Sequence, residues 1–227
     1  MVPINTTHTN PQHPAHAALA ADNPSTRLNA ALAAGTDADP ALTETLITRC
    51  AIEPDLFVRD MLTWALTRLP AQATLPALCE ELRSEHPQAR SQALHTLSKI
   101  ADTSAWPAIT PSLLHDADDE VARSAWRAAV ALVPDDQKEH LAAQLARQLG
   151  RGGRETQLSL SRALAALGEA ALPALHAAET TDDPVLYAHA TATERLLDDP
   201  EAGFELAIAE AKRVVALGGR HDAGTAC

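Results

Sequence analysis

Apolar and polar positions alternate with a helical beat along most of this chain, and one version of that beat recurs. Asp55-Leu56-Phe57-Val58-Arg59-Asp60-Met61-Leu62-Thr63-Trp64-Ala65-Leu66 is followed by His86-Pro87-Gln88-Ala89-Arg90-Ser91-Gln92-Ala93-Leu94-His95-Thr96-Leu97. A third copy runs from Asp118 to Val130. Each has a polar start, a small apolar residue, an arginine, and residues three, six and seven positions later that are apolar apart from Thr96. Those offsets share one side of a helix. The arginines at 59, 90, 123 and 154 are separated by steps of 31, 33 and 31. A period near thirty with two helices per unit is the mark of a stacked array of helical hairpins.

The start and stop signals predict the elements. Asn23-Pro24-Ser25-Thr26 opens a helix that ends at Gly35; a second runs over 40–50 and the first arginine-bearing helix over 55–69. Further helices are expected at 72–84, 87–101, 104–115, 118–133, 135–149, 153–167, 169–179 and 183–198, each bounded by a cap residue, glycine or proline. Connections of two to four residues make consecutive helices antiparallel neighbours. A second signal keeps the same register: Thr74-Leu75-Pro76-Ala77-Leu78 recurs as Ala105-Trp106-Pro107-Ala108-Ile109 and Ala171-Leu172-Pro173-Ala174-Leu175. Its proline is expected in a first turn, where the missing N–H costs nothing. Residues 1–23 are expected to be a mobile N-terminal tail, since they hold too little apolar content to pack. A repeat domain follows over 24–217: a capping helix at 24–34, repeats at 40–198 and a capping helix at 200–217. Residues 218–227 form a C-terminal tail.

Composition supports helices and narrows the chemistry. Apolar residues make up 46% and aromatics 3%, with Ala and Leu dominant and no β-branched excess to favour a sheet. Eighteen basic residues against 30 acidic give a net charge of −12, the wrong sign for a duplex-binding protein, so nucleic acid is not the expected partner. Cys50, Cys79 and Cys227 form no CxxC pair and suggest neither a disulfide framework nor a zinc site. His8, His13 and His16 lack a carboxylate or cysteine companion, so no metal and no cofactor is expected. No apolar run reaches membrane-spanning length and no leader pattern opens the chain, which points to a cytoplasmic protein without a membrane partner.

The unit (early-proline helix, short turn, Asp, then a small apolar residue and Arg opening the second helix) resembles HEAT repeats, and its short period resembles the PBS-lyase type. The wording around RDMLTWALTRL, SQALHTLSKI and LGRGGRE is similar to bacterial HEAT-repeat proteins associated with MerR-type regulators. The resemblance implies an all-α, right-handed α-solenoid of about five HEAT-like helical hairpins with N- and C-terminal capping helices. It also implies that the second helices line a concave groove. Offsets one, five and eight from the arginine then face that groove, placing Asp60, Trp64 and Thr67 beside Ser91, His95 and Ser98, and then Ser124, Ala128 and Ala131. Arg127, Arg151, Arg154 and Arg162 complete the expected partner-binding set. Trp64 would offer flat apolar area and His95 a titratable group, whereas Trp126 sits at a core offset.

Arg59, Arg90, Arg123 and Arg154 could make a phosphate-binding ladder, but the favoured reading is register-holding ion pairs with an acid of the preceding inter-helix turn, such as Asp55, Asp118 or Asp119. Gly150-Arg151-Gly152-Gly153-Arg154 lacks the Gly-Lys-Ser/Thr ending of a P-loop but opens a helix whose free N–H groups could meet an anion. Catalytic readings fit less well. Di-iron hydroxylases built on HEAT repeats use His-Glu dipeptides, and this chain has none. HEAT-like alkylpurine DNA glycosylases need a basic channel, which −12 does not supply. A bilin lyase would need a nucleophile with a positioned base, and neither Cys50 nor Cys79 has a histidine nearby in sequence. The expected function is therefore a non-catalytic adaptor or regulatory module that binds a protein or peptide in its groove. The alternative is a small-molecule or nucleotide sensor using the groove aromatics and the Arg-Gly loop.

Overall fold

A computed structural model describes residues 14–199 and Ile208. Among the described residues the secondary structure is all helix and turn, with no strand. They divide into two compact units, Met1–Ala77 and Leu78–Cys227, and each is taken by itself.

In the first unit the helices are α1 (Pro14–Leu19), α2 (Pro24–Asp37), α3 (Thr43–Ile52) and α4 (Leu56–Arg68). α1 lies within the stretch assigned to a tail on composition; it is held by burial of Leu19 and by a hydrogen bond between His16 Nε2 and Thr45 Oγ1 at 3.0 Å. α2 starts as expected, with the Asn23 side chain accepting from the Ser25 N–H, but it does not stop at Gly35. It continues to Asp37 and ends where Ala38 turns left-handed at φ 52°. The glycine is there for packing. A Cβ at position 35 would run into the Trp64 ring and come within 2.8 Å of Ala65 Cα, so α2 and α4 touch backbone to backbone at this point.

α5 (Ala71–Glu81) joins the units, and the second unit continues with α6 (Pro87–Ile100), α7 (Pro111–Leu114), α8 (Asp119–Leu132), α9 (Lys138–Ala146), α10 (Arg154–Ala166), α11 (Leu172–Glu179) and α12 (Pro184–Asp198). The helix expected over 200–217 lies outside the described residues, apart from Ile208, which packs against Ala192. α6, α8, α10 and α12 pack one on the next, while α7, α9 and α11 form a second row across them. Hairpin stacked on hairpin is the α-solenoid arrangement. The core is Leu and Ala (Leu94, Leu97, Ala125, Ala129, Leu132, Leu141, Leu145, Leu160, Leu164) around a fully buried Trp126, whose Nε1–H donates to the Leu114 carbonyl at 2.9 Å.

Two expectations about the first helices of the hairpins need correction. Pro76 sits in the middle of α5, not in its first turn, and Pro107 lies within a 3₁₀ segment over Thr103–Ala108; only Pro173 occupies a first-turn position. The helix expected over 104–115 is accordingly broken into that 3₁₀ segment and the single-turn α7. Pro107 and Pro111 both lack the N–H that a continuous helix would use.

Candidate functional site

Two groups of arginines stand out among the described residues. The first holds the hairpins together. Arg90 donates from Nε and Nη2 to the Asp116 carboxylate at 3.1 and 3.2 Å and from Nη1 to the Ser84 carbonyl at 2.8 Å. Its acid is thus 26 residues ahead, in the turn of the next hairpin, rather than in the preceding turn. Arg27 makes the same set: Nε and Nη2 to Glu53 at 2.8 and 2.7 Å, and Nη1 to the Ala21 and Asp22 carbonyls. Arg27 therefore heads the ladder, 32 residues before Arg59, and belongs to a step of the period that sequence reading passed over. Arg59 reaches back to the Glu53 and Pro54 carbonyls at 2.9 and 3.2 Å.

The acids in these turns do double duty. Glu53 accepts from the Asp55 N–H, and Asp116 from the Asp118 N–H, each at 2.9 Å. Asp55 and Asp118 then cap the helices that follow, Asp118 Oδ1 accepting from both Glu120 and Val121. Fully buried Glu53 also takes Arg49 Nε at 2.8 Å. Burial alone would raise its pKa; the hydrogen bonds from Arg27, the Asp55 N–H and Arg49 outweigh that and lower it to about 2.

The second population faces open space. A cavity of about 530 Å³ between α8 and α10 is lined by Arg123, Arg127, Arg154 and Arg162, with Glu155, Leu158, Ser159, Val130, Ala163 and Ala166 completing the walls. Helical spacing puts them there: Arg123 and Arg127 are one turn apart on α8, and Arg154, Leu158 and Arg162 succeed one another by four on α10. The acid supply is thin. Arg123 Nη1 pairs with Glu120 at 2.7 Å and approaches Glu155 at 3.6 Å, but its buried Nε has no hydrogen-bond partner. Arg127 is steadied by the Ser124 hydroxyl at 3.0 Å, and its pKa is lowered by desolvation and by the neighbouring Arg123 charge. Beyond Arg162 and Ala166 the depression continues as a second hollow of about 290 Å³ toward Leu196 and Leu197 on α12.

Three of the expected site residues (Arg127, Arg154 and Arg162) are thus brought together. Arg151 is engaged elsewhere: its guanidinium meets Asp119 at 2.8 Å, Gln148 Oε1 and the Asp116 carbonyl, and it lies 6.0 Å from the Trp126 ring centroid. The Arg-Gly loop it belongs to is closed on the protein. Gly150 and Gly152 have φ of 81° and 66°, the Gly150 N–H donates to His189 Nδ1 at 2.9 Å, and a Cβ at Gly152 would meet Thr156 and Asp119.

On the other second helices, Asp60 is exposed and Trp64 is 37% exposed against Gly35. The Thr67 hydroxyl returns to the Trp64 carbonyl, and the Ser98 hydroxyl to that of half-buried His95, both at 2.7 Å. Trp64 and His95 belong to different units. Ser91 is a correction. It is buried at 7% exposure with its hydroxyl on the Gln88 carbonyl, and Ser124 and Ala128 at equivalent offsets are also buried. Small side chains there let α6 and α8 close on each other; α8, packed on both α6 and α10, exposes offset four (Arg127) instead.

Neither of the two described cysteines is an activated nucleophile. Burial pushes the Cys50 thiol up to about 12 and raises that of Cys79. Buried Ser161 and His189 stand 3.0 Å apart, a pair without sequence signature. Because His189 Nδ1 accepts from Gly150, Nε2 carries the hydrogen, shared with Ser161 Oγ and the Gln157 carbonyl, so the ring cannot serve as a base toward the serine. Desolvation lowers its pKa to about 4.

Comparison with family models agrees with the class of fold over part of the chain. A family model of HEAT repeats matches residues 53–131. Among solved structures, the crystal structure of an engineered protein is similar over 83% of this chain and 98% of its own, at 20% identity and TM-score 0.46. The complex of CpcE and CpcF of phycocyanin lyase from Nostoc sp. PCC7120 is similar over 94% of this chain and 99% of that chain, at 17% identity and TM-score 0.39. No curated protein matches the sequence. Among the described residues no helix is long and apolar enough to cross a membrane.

Proposed function

We propose that the protein is a non-catalytic HEAT-repeat adaptor or regulatory module that binds a segment of a partner protein along α8, α10 and α12. The observation that carries this reading is the open arginine-lined cavity and its continuation toward α12, in contrast to Arg27 and Arg90, which are taken up by structural contacts. A trough walled by side chains from successive second helices suits an extended chain, with guanidinium forks to orient it. The sensor alternative is less well supported, since no aromatic lines the cavity to stack a nucleotide base and Arg151 is bound internally. The resemblance of the repeats to proteins associated with MerR-type regulators makes such a regulator one partner to test.

Site-specific photo-crosslinking in the native host tests the proposal. A crosslinker at Ser159, inside the cavity, should give a discrete protein adduct that one at exposed Ala143 on α9 does not. Equal adducts at both positions, or none at Ser159, would count against it.

A further inference from the structure

The cavity's own chemistry specifies more than that something binds. Four guanidinium groups face a space of about 530 Å³ with Glu155 as the one carboxylate in the wall, in a chain of net charge −12. Local sign runs opposite to the global sign, so this patch is a deliberate exception to the protein's electrostatics. Arg127 and Arg123 stand one turn apart in the same wall, and an anion between the guanidinium groups would offset their mutual repulsion. Between the guanidinium groups lie Leu158, Val130, Ala163 and Ala166, a small apolar floor.

We infer that the partner segment is an acidic peptide, with at least two Asp or Glu side chains flanking one apolar side chain. The carboxylates pair with Arg127 and Arg162, and the apolar residue rests on Leu158 and Val130. Resting on the proposed groove binding, this deepens it by naming the chemistry of the occupant. Carboxylates match the planar guanidinium bidentately. An extended peptide places successive side chains about 6.6 Å apart on one face, a spacing a groove crossing two helices can read.

Panning a random-peptide library on the full-length protein tests this, with each eluted pool counter-screened on Ala166→Trp, which fills the cavity floor, and on Arg127→Gln/Arg162→Gln, which keeps its shape. The expected result is enrichment of Asp/Glu-rich sequences that lose at least tenfold in affinity on both variants and weaken with added salt. A pool sensitive to Ala166→Trp but neutral in composition and indifferent to the arginine substitutions overturns the acidic-peptide inference and leaves groove binding standing. A pool indifferent to Ala166→Trp overturns groove binding itself. If a phosphorylated peptide displaces the winners while its Asp/Glu counterpart does not, the carboxylate assignment is wrong.

Discussion

At the scale of single residues, the chain uses arginine in two ways that its sequence does not distinguish. Arg27 and Arg90 are saturated by a carboxylate ahead and a carbonyl behind, whereas Arg127 and Arg162 line open space. Removing one member of a buried pair strands the other, so Glu53→Gln, which leaves Arg27 and Arg49 without their acid, should cost about 3 kcal/mol in a denaturant titration. Glu53 also sets a pH limit. Its folded pKa of about 2 lies below the ordinary 4.5, so its stabilisation is complete above 4.5 and is lost as pH falls from there toward 2. His189 acts in a higher window. Its folded pKa of about 4 lies below 6.5, so the unfolded chain takes up the proton first and stability declines between pH 6.5 and 4. Melting temperature followed against pH should show that decline, and His189→Gln should flatten it. At Gly35, alanine would force its Cβ into the Trp64 ring and the Ala65 backbone; the expected loss is about 2 kcal/mol, only partly relieved by adding Trp64→Ala.

At the scale of elements, most of the helices were legible because their ends are written in local chemistry. Asn23, Asp55, Asp118 and Asp183 cap as their sequence contexts require. Asp118→Ala should cost about 1 kcal/mol, seen as faster amide exchange in the first turn of α8. What misled was context of longer range. Gly35 looks like a stop signal, but its lack of a side chain serves a neighbouring helix. Pro76 looks like a first-turn residue, yet α5 starts five residues before it. The buried faces were assigned from one helix alone, whereas Ser91, Ser124 and Ala128 are covered by neighbours some thirty residues away in sequence.

For the molecule as a whole, the repeat period carried the fold class, because hairpins that cannot bury their apolar sides alone must stack. The cavity was only half legible. The sequence marks Arg127, Arg154 and Arg162 as candidates, but their convergence depends on how α8 packs on α10, and Arg123 reads there as a register-holding residue. The central claim is that the second unit keeps a set of arginines accessible while Arg27 and Arg90 are locked. Timed modification of the native protein with an arginine-specific dicarbonyl, mapped by peptide mass spectrometry, measures this directly. Arg162 should react early, with Arg27 and Arg90 resisting until the protein unfolds; Arg27 or Arg90 reacting as fast as Arg162 would contradict the account.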